Sequence, residues 1–367
     1  MVIKVAHVTT AHARGEVRIF LKECLSLAAA AYEVHLIVAD GKGDTIIRGV
    51  HIHDAGIAHG RFQRMLLLPW RMWRAARKID ARLYHLHEPE LLLIALLLGA
   101  NGAKVVYDSH EDVPRAVLSR EWISRPLRRL VSNVFERFEN FVAARISAVV
   151  GATPLIAKRF SSINPKTIAI NNYPLASEIE TALTSSGDGR TVCYLGGISK
   201  IRGILEMVRA LEHLDVRLVI AGPFDSALTE ESARALPGWA KVDYRGVVSR
   251  AEVYRIMSES MAGLLFFHPE PNHTDAQPNK MFEYMSAGLP VLASDFPVWK
   301  QLLDTTGAGL VADPLNPVRI AAAIGAILSD PSAGLAMGQR GQRAVVEKYQ
   351  WKFEEFKLIQ LYGEVLR

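Results

Sequence analysis

The chain has 367 residues, half of them hydrophobic, with 43 Lys and Arg against 38 Asp and Glu. That length and apolar share suit two globular domains and exclude a disordered or low-complexity chain. Only Cys24 and Cys193 are present, far apart, which excludes a disulfide framework and a cysteine-built zinc site and points to a reducing, cytoplasmic compartment.

The start, Met1 to Val8, has no basic stretch ahead of a long apolar segment, so no signal peptide is expected. The longest apolar run, Leu91 to Ala100, is well short of the roughly 18 to 20 residues that cross a bilayer. Charge is unevenly shared: residues 1–172 hold 24 Lys and Arg and 15 Asp and Glu, net +9, and the remainder 19 and 23, net −4.

In chain order, strands are predicted at Ile3–Val8, Val34–Ala39, Val50–Ile52, Leu83–Leu86, Val105–Tyr107, Ala148–Val150 and Thr167–Ile170, alternating with helical patterns. This alternation implies an α/β fold with a parallel sheet. The tract 177–190 loses the pattern and gathers small residues, so a first domain over 1–176 and a linker are expected. Strands then resume at Thr191–Leu195, Arg217–Ala221, Val242–Tyr244, Ala262–Phe267, Pro290–Ala293 and Gly309–Ala312, giving a second α/β domain to about residue 350. Residues 351–367 read as a helix with an apolar face that docks elsewhere, and two similar sheets facing one another would make a cleft.

Ligands of open α/β sheets bind beyond the carboxyl ends of the strands, so the loops after strands carry the information. After the first strand comes Thr9-Thr-Ala-His-Ala-Arg-Gly-Glu-Val-Arg18, either a ligand loop or an ordinary βα connection, leading into a helix from about Gly15 to Ala31. The segment Arg61 to Lys78 mixes cations with Trp70, Trp73 and leucines, the profile of a basic interfacial helix or of a surface helix packed on its sheet. Arg115, Arg120, Arg125, Arg128, Arg129 and Arg137 could extend that patch toward anionic lipid. No nucleic-acid motif accompanies the charge.

His85 and His87 alternate on a strand and would project the same way, as metal ligands can. No third and fourth ligand falls at convincing spacing, so a polar strand end is the preferred reading and no metal is expected; His51 and His53 read as a surface strand. Asp108-Ser-His-Glu-Asp112 gathers ionisable groups where a parallel strand ends. There His110 could donate to a sugar hydroxyl or phosphate, or the cluster could simply cap the next helix.

In the second half, Gly196-Gly-Ile-Ser-Lys-Ile-Arg-Gly203 follows a strand and opens a helix, a setting in which glycines let backbone approach phosphate while Lys200 and Arg202 add charge. It has neither the Walker nor the dinucleotide spacing. Farther on, His268 to Pro290 puts a polar loop ahead of a helix from about Pro278 to Ala287. Glu283 shares a face with Asn279, where it is either a solvated helix residue or a carboxylate able to hold two ribose hydroxyls.

Taken in this order, the motifs resemble those of the retaining glycosyltransferases of family 4, over essentially the full length. Pro278-Asn-Lys-Met-Phe-Glu-Tyr-Met-Ser-Ala-Gly-Leu-Pro-Val291 resembles the family's nucleotide-binding helix, with Glu283 at the ribose-holding glutamate. Gly196 to Gly203 resembles the phosphate loop, with Arg202 at the lysine position and Gly197 where an arginine is usual. The family's Glu-x7-Glu becomes Asp275 and Glu283, with Glu270 and His273 nearby. Asp108-Ser-His110 resembles the strand end whose histidine lies against the donor sugar, and the Thr9 to Arg18 loop the acceptor side.

The resemblance implies a GT-B architecture of two Rossmann-like doubly wound domains, with the C-terminal helix returning to the first. It implies catalytic roles for His110, Arg202 and Asp275, and donor contacts from Gly196, Gly197, Lys200, Arg202, Glu270, His273, Asn279, Lys280 and Glu283. His12, Arg14, Arg18 and His87 would stand on the acceptor side, His12 and Arg18 lining the cleft. The expected activity is metal-independent, cofactor-free transfer from a UDP- or GDP-linked sugar to a lipid-linked or growing surface glycan, by a cytoplasmic enzyme peripheral to the inner membrane face. A nucleotide-sugar epimerase and a catalytically silent nucleotide-binding subunit are the alternatives.

Overall fold

The computed structural model describes residues 2–118, 123–177 and 189–367. Arg120, the side chain of Arg61 and most of the tract 177–190 lie outside the described residues. Contacts divide the chain into a first unit of Met1–Asn172 with Trp351–Arg367 and a second of Tyr173–Gln350. The division falls between Asn172 and Tyr173, a few residues ahead of the small-residue tract.

The first unit holds strands β1 (Lys4–Val8), β2 (Glu33–Val38), β3 (Thr45–Ile47), β4 (Val50–Asp54), β5 (Leu83–Leu86), β6 (Lys104–Ser109), β7 (Ala148–Gly151) and β8 (Thr167–Ala169). They form one sheet in the order β3-β4-β2-β1-β5-β6-β7-β8. All neighbours are parallel except β3, which pairs antiparallel with β4 at the edge. Strand β3 was not expected from the sequence: Thr45 and Ile46 are exposed and Ile47 is half-buried, the apolar stretch is only two residues, and the strand is held by register with β4.

The expected helix after β1 is present in an altered form. Val17–Cys24 is a π-helix, continued by an α-helix at Leu25–Ala29. Glu16 caps it, its carboxylate accepting from the Ile19 N–H at 2.7 Å. The C-terminal helix Trp351–Leu366 packs within this unit. The Trp351 indole N–H donates to Ser26 Oγ at 2.9 Å, and Glu354 accepts from the Asn171 N–H at 2.9 Å.

The second unit holds β9 (Thr191–Leu195), β10 (Arg217–Ala221), β11 (Val242–Tyr244), β12 (Gly263–Leu265), β13 (Val291–Ser294) and β14 (Gly309–Ala312), all parallel, in the order β11-β10-β9-β12-β13-β14. The inner strands β9, β12 and β13 are buried along their whole length, as in sheets covered on both faces, whereas the edge strands β11 and β14 are half-buried. Val192, Leu218, Leu264 and Leu292 lie in the core on one side and Cys193, Leu265, Val291 and Ala293 on the other.

In both sheets the strand order reverses beside the first strand: between β1 and β5 in one unit and between β9 and β12 in the other. Such reversal points open the crevice in which doubly wound sheets bind ligands. Among the described residues, no single helix is long and apolar enough to cross a membrane.

Candidate functional site

In the second unit the loops flanking the reversal point carry the polar residues. Gly196 follows β9 at φ 133°, and Gly222 packs so closely that a Cβ there would lie 1.9 Å from the Gly196 carbonyl oxygen. The short turn Lys200–Arg202 ends at Gly203, φ 71°, where a Cβ would lie 1.8 Å from the Phe266 carbonyl oxygen. Only glycine permits that conformation at that approach. The loop after β9 is thereby pressed onto the end of β12, and the His268 N–H donates to Ile201 O at 2.8 Å.

The helix Asn279–Ser286 follows, with Met281, Tyr284 and Met285 buried. The Leu195 N–H donates to the Tyr284 hydroxyl at 3.0 Å, anchoring this helix to the end of β9. Lys280 passes over Gly196, its Cε 3.7 Å from where a Cβ would stand, and its Nζ donates to Glu283 Oε2 at 2.6 Å. Arg250 Nη1 lies 3.9 Å from the same oxygen. The Arg202 Nη1 donates to Gly197 O at 3.0 Å, and its guanidinium sits 5.6 Å from the Phe267 ring centroid. A side chain at Gly197 would meet that guanidinium, its Cβ 2.8 Å from Nη1.

The loop between β12 and the helix is fixed by the Trp299 indole N–H, which donates to Ala276 O at 2.6 Å. His273 is buried, with Nδ1 3.2 Å from His268 O. Burial and the nearby Arg202 charge lower its pKa against the opposing pull of that carbonyl. Glu270 is half-buried, and Asp275 and Asn279 are exposed. Cations and a carboxylate thus converge at strand ends beside glycine backbone, supplying the donors and the paired acceptor oxygens that a diphosphate and a vicinal diol call for.

In the first unit a buried charged cluster lies under the reversal point. Arg18 is 3% exposed and donates to Asp108 through Nε and Nη2, both at 2.9 Å, and to Ile170 O at 2.8 Å. Glu23 Oε1 lies 3.2 Å from Arg18 Nε. Burial alone would lower the guanidinium's pKa, but Asp108 and Glu23 outweigh it and raise it. Burial alone would raise Asp108, but Arg18 and His110 hold that carboxyl well below the usual range. Glu23 goes the other way, raised by burial and by Asp108. Of the two carboxyls, Asp108 carries the charge.

His110 Nε2 lies 3.0 Å from Asp108 Oδ2, and the His12 and His110 ring centroids are 5.5 Å apart. Glu88 takes the Thr9 hydroxyl at 2.5 Å and the Thr10 N–H at 2.8 Å, fixing the start of the loop after β1. Burial pushes its carboxyl up to about 7 despite those two bonds.

Two family profiles match in succession, "Glycosyl transferase 4-like domain" over residues 14–169 and "Glycosyl transferases group 1" over residues 177–344. The chain belongs to the group 1 glycosyltransferases. No curated protein matches its sequence at a significant level. Its fold is similar to that of sucrose-phosphate synthase from Thermosynechococcus elongatus, with TM-score 0.78, 17% identity and 99% of each chain covered. It is also similar to Anabaena Alr3699/HepE, solved with UDP-glucose, at TM-score 0.75 and 15% identity, covering 99% of this chain and all of that one. An E. coli trehalose-6-phosphate structure bound with UDP-2-fluoro glucose matches at TM-score 0.73 and 11% identity over 99% of each chain. The architecture is GT-B.

In this glycosyltransferase the residues expected on the acceptor side part company. Arg18, expected to line a cleft, is interior: its guanidinium is consumed by Asp108 and Ile170 O and holds β6 to the helix after β1. Arg14 is committed to Asp40, with Nε to Oδ2 at 2.7 Å, and to Gly43 O at 3.0 Å. His87 is 2% exposed, with Nδ1 3.2 Å from His110 Nε2. His12 is partly exposed.

The sequence reading singled out His85 beside His87 at this strand end but missed His7 and Glu23 as members of the layer. The available signal was the even spacing of His85 and His87, but their partners come from another strand and a helix.

Proposed function

We propose that this glycosyltransferase moves a sugar, with retention of anomeric configuration, from a UDP-linked donor to a lipid-linked or growing surface-glycan acceptor. The observation that carries the donor assignment is the convergence of Glu283, Lys280 and Arg202 on the glycine loop after β9. Two fold neighbours were solved with UDP-glucose or its fluoro analogue, which favours UDP over GDP.

Glu283 accepts the ribose hydroxyls. Arg202, Lys200 and the backbone around Gly196 and Gly197 hold the diphosphate. Glu270, His273, Asp275 and Asn279, on or beside the loop after β12, face the donor sugar. As the bond from the anomeric carbon to the diphosphate oxygen breaks, the acceptor oxygen bonds to that carbon from the same face. The acceptor's proton passes to the departing phosphate oxygen. Arg202 stabilises charge that grows on the leaving group, the form of catalysis in which fixed donors are most effective. His110, held by Asp108, contacts the donor sugar; His12 contacts the acceptor; His87 acts through His110.

Calorimetric titration with UDP, GDP and ADP tests the donor site. Hydrogen bonds to a charged group are worth about 1.5 to 3 kcal/mol, so Glu283→Ala should weaken UDP binding roughly 10- to 100-fold. Equal UDP affinity in the variant, or no nucleotide bound by the wild type, would sink this reading.

The acceptor assignment is supported by the surface of the first unit. Along the helix Arg125–Ala143, Leu127, Leu130, Val134, Phe138 and Phe141 are exposed beside Arg129 and Arg137, and Phe62, Met65, Leu66 and Leu67 are exposed ahead of the helix Leu68–Ile79. Apolar residues flanked by arginine suit an anionic lipid surface. The protein should pellet with anionic vesicles, less so at high salt and less again for Leu130→Glu with Phe138→Glu. A protein that stays in the supernatant at every salt concentration refutes the membrane assignment.

A further inference from the structure

Beneath the loop residues of the first unit, His7, Glu23, His85 and His87 meet in the interior, where all four are buried. The strand register sets His7 beside His85, and His87 lies two residues farther along toward the strand end. Glu23 comes from the π-helix over that face, and π segments are rare and concentrated at functional sites. His7 Nδ1 lies 2.9 Å from His87 Nε2 and 3.6 Å from Glu23 Oε2, and His87 Nε2 lies 3.9 Å from that oxygen. One ligand atom from each residue falls within 4.8 Å of all the others.

The opposite ring nitrogens are each held from behind. His7 Nε2 and His85 Nδ1 lie 3.1 and 2.9 Å from the Tyr362 hydroxyl oxygen. His87 Nδ1 lies 3.2 Å from His110 Nε2 and 3.4 Å from Asp108 Oδ2. Metal-bound histidines show this pattern, the outer N–H given to a carboxylate or other oxygen so that the inner lone pair faces the ion.

His85 Nε2 is buried without a hydrogen-bond partner, and so is Glu23 Oε2, whose sister oxygen Oε1 lies 3.2 Å from Arg18 Nε. His7 Nδ1 and His87 Nε2 share one hydrogen bond at 2.9 Å, and with each outer nitrogen protonated both would instead turn lone pairs toward an ion. Unmatched buried acceptors that converge are stabilised by a cation.

We propose that His7 Nδ1, His85 Nε2, His87 Nε2 and the Glu23 carboxylate bind one divalent transition-metal ion of the zinc class. Three imidazoles and a carboxylate suit such an ion, and four protein ligands make a closed, structural site. The ion would join β1, β5 and the helix after β1, with Tyr362 of the C-terminal helix as the outer partner of two ligands. It does not depend on the donor assignment above.

The full-length protein, stripped with chelator and titrated with cobalt, should take up about one equivalent and show the strong visible absorption of a tetrahedral ion. His35 lies 2.9 Å from His53 on a separate face and is a second, more exposed histidine group, so His35→Ala serves as the control. Absorption retained in His35→Ala and lost in His85→Gln supports the site. No absorption in the wild type, or absorption lost with His35→Ala and kept in His85→Gln, overturns it. Should His85→Gln not fold, X-ray absorption of the zinc-loaded wild type decides. A shell of three imidazoles and a carboxylate supports the site, and any other shell overturns it.

Discussion

Replacing Arg202 with alanine is expected to lower the rate of UDP release from the sugar donor by about 10²- to 10³-fold, the loss typical when one fixed donor to a developing anion is removed. The guanidinium is held by the Gly197 carbonyl and lies near the Phe267 ring, so it is oriented before any ligand arrives. Preorganisation of this kind acts on the transition state more than on the ground state, so kcat should fall much further than KM rises. Arg202→Lys keeps the charge but loses the planar fork and should fall between wild type and alanine. Steady-state kinetics on the three proteins decides the matter. An alanine variant with wild-type kcat would remove Arg202 from the catalytic machinery.

Asp108→Ala should destabilise the first unit by about 3 to 5 kcal/mol, because breaking a buried pair strands the remaining charge. Arg18 cannot shed its proton, and with Asp108 gone its nearest carboxyl is Glu23 at 3.2 Å from Nε. Glu23 can ionise and recover part of the loss, which places the expected value toward the lower end. For a domain of this size the unfolding midpoint should fall by roughly 10 °C.

The pH dependence has a definite sign. Asp108 is depressed in the folded protein by Arg18 and His110 against the opposing effect of burial, so its contribution is present above the unfolded carboxyl range near pH 4 and lost as pH falls through the folded value. Thermal unfolding of variant and wild type at pH 7 should therefore differ more than at acid pH. A midpoint unchanged at pH 7 would mean that the pair contributes no net stability.

The elements that were legible in the sequence are those whose signal is local. The strands Leu83–Leu86, Thr191–Leu195, Arg217–Ala221, Val242–Tyr244 and Gly309–Ala312 have the boundaries expected from their short apolar runs. The helix Asn279–Ser286 announces itself through Pro278 and through Gly288 at φ 72°. Strand β3 was invisible because its three residues are stabilised by an edge pairing, not by burial. The π-helix Val17–Cys24 was invisible because an apolar stripe does not distinguish a helix from its wider form.

By itself the sequence determined two α/β units, the glycine loop, the helix that carries Glu283, and the family to which these belong. Their meaning lies in neighbours along the chain and in single-residue conformations, which local chemistry dictates. The tertiary structure alone decided that Arg18 turns inward to Asp108, that Arg14 is spent on Asp40, and that His7 and Glu23 complete a set begun by His85 and His87. Those contacts join β1 to β5 and a helix to a distant strand, so they exist only once strand order and register have brought remote residues onto one face.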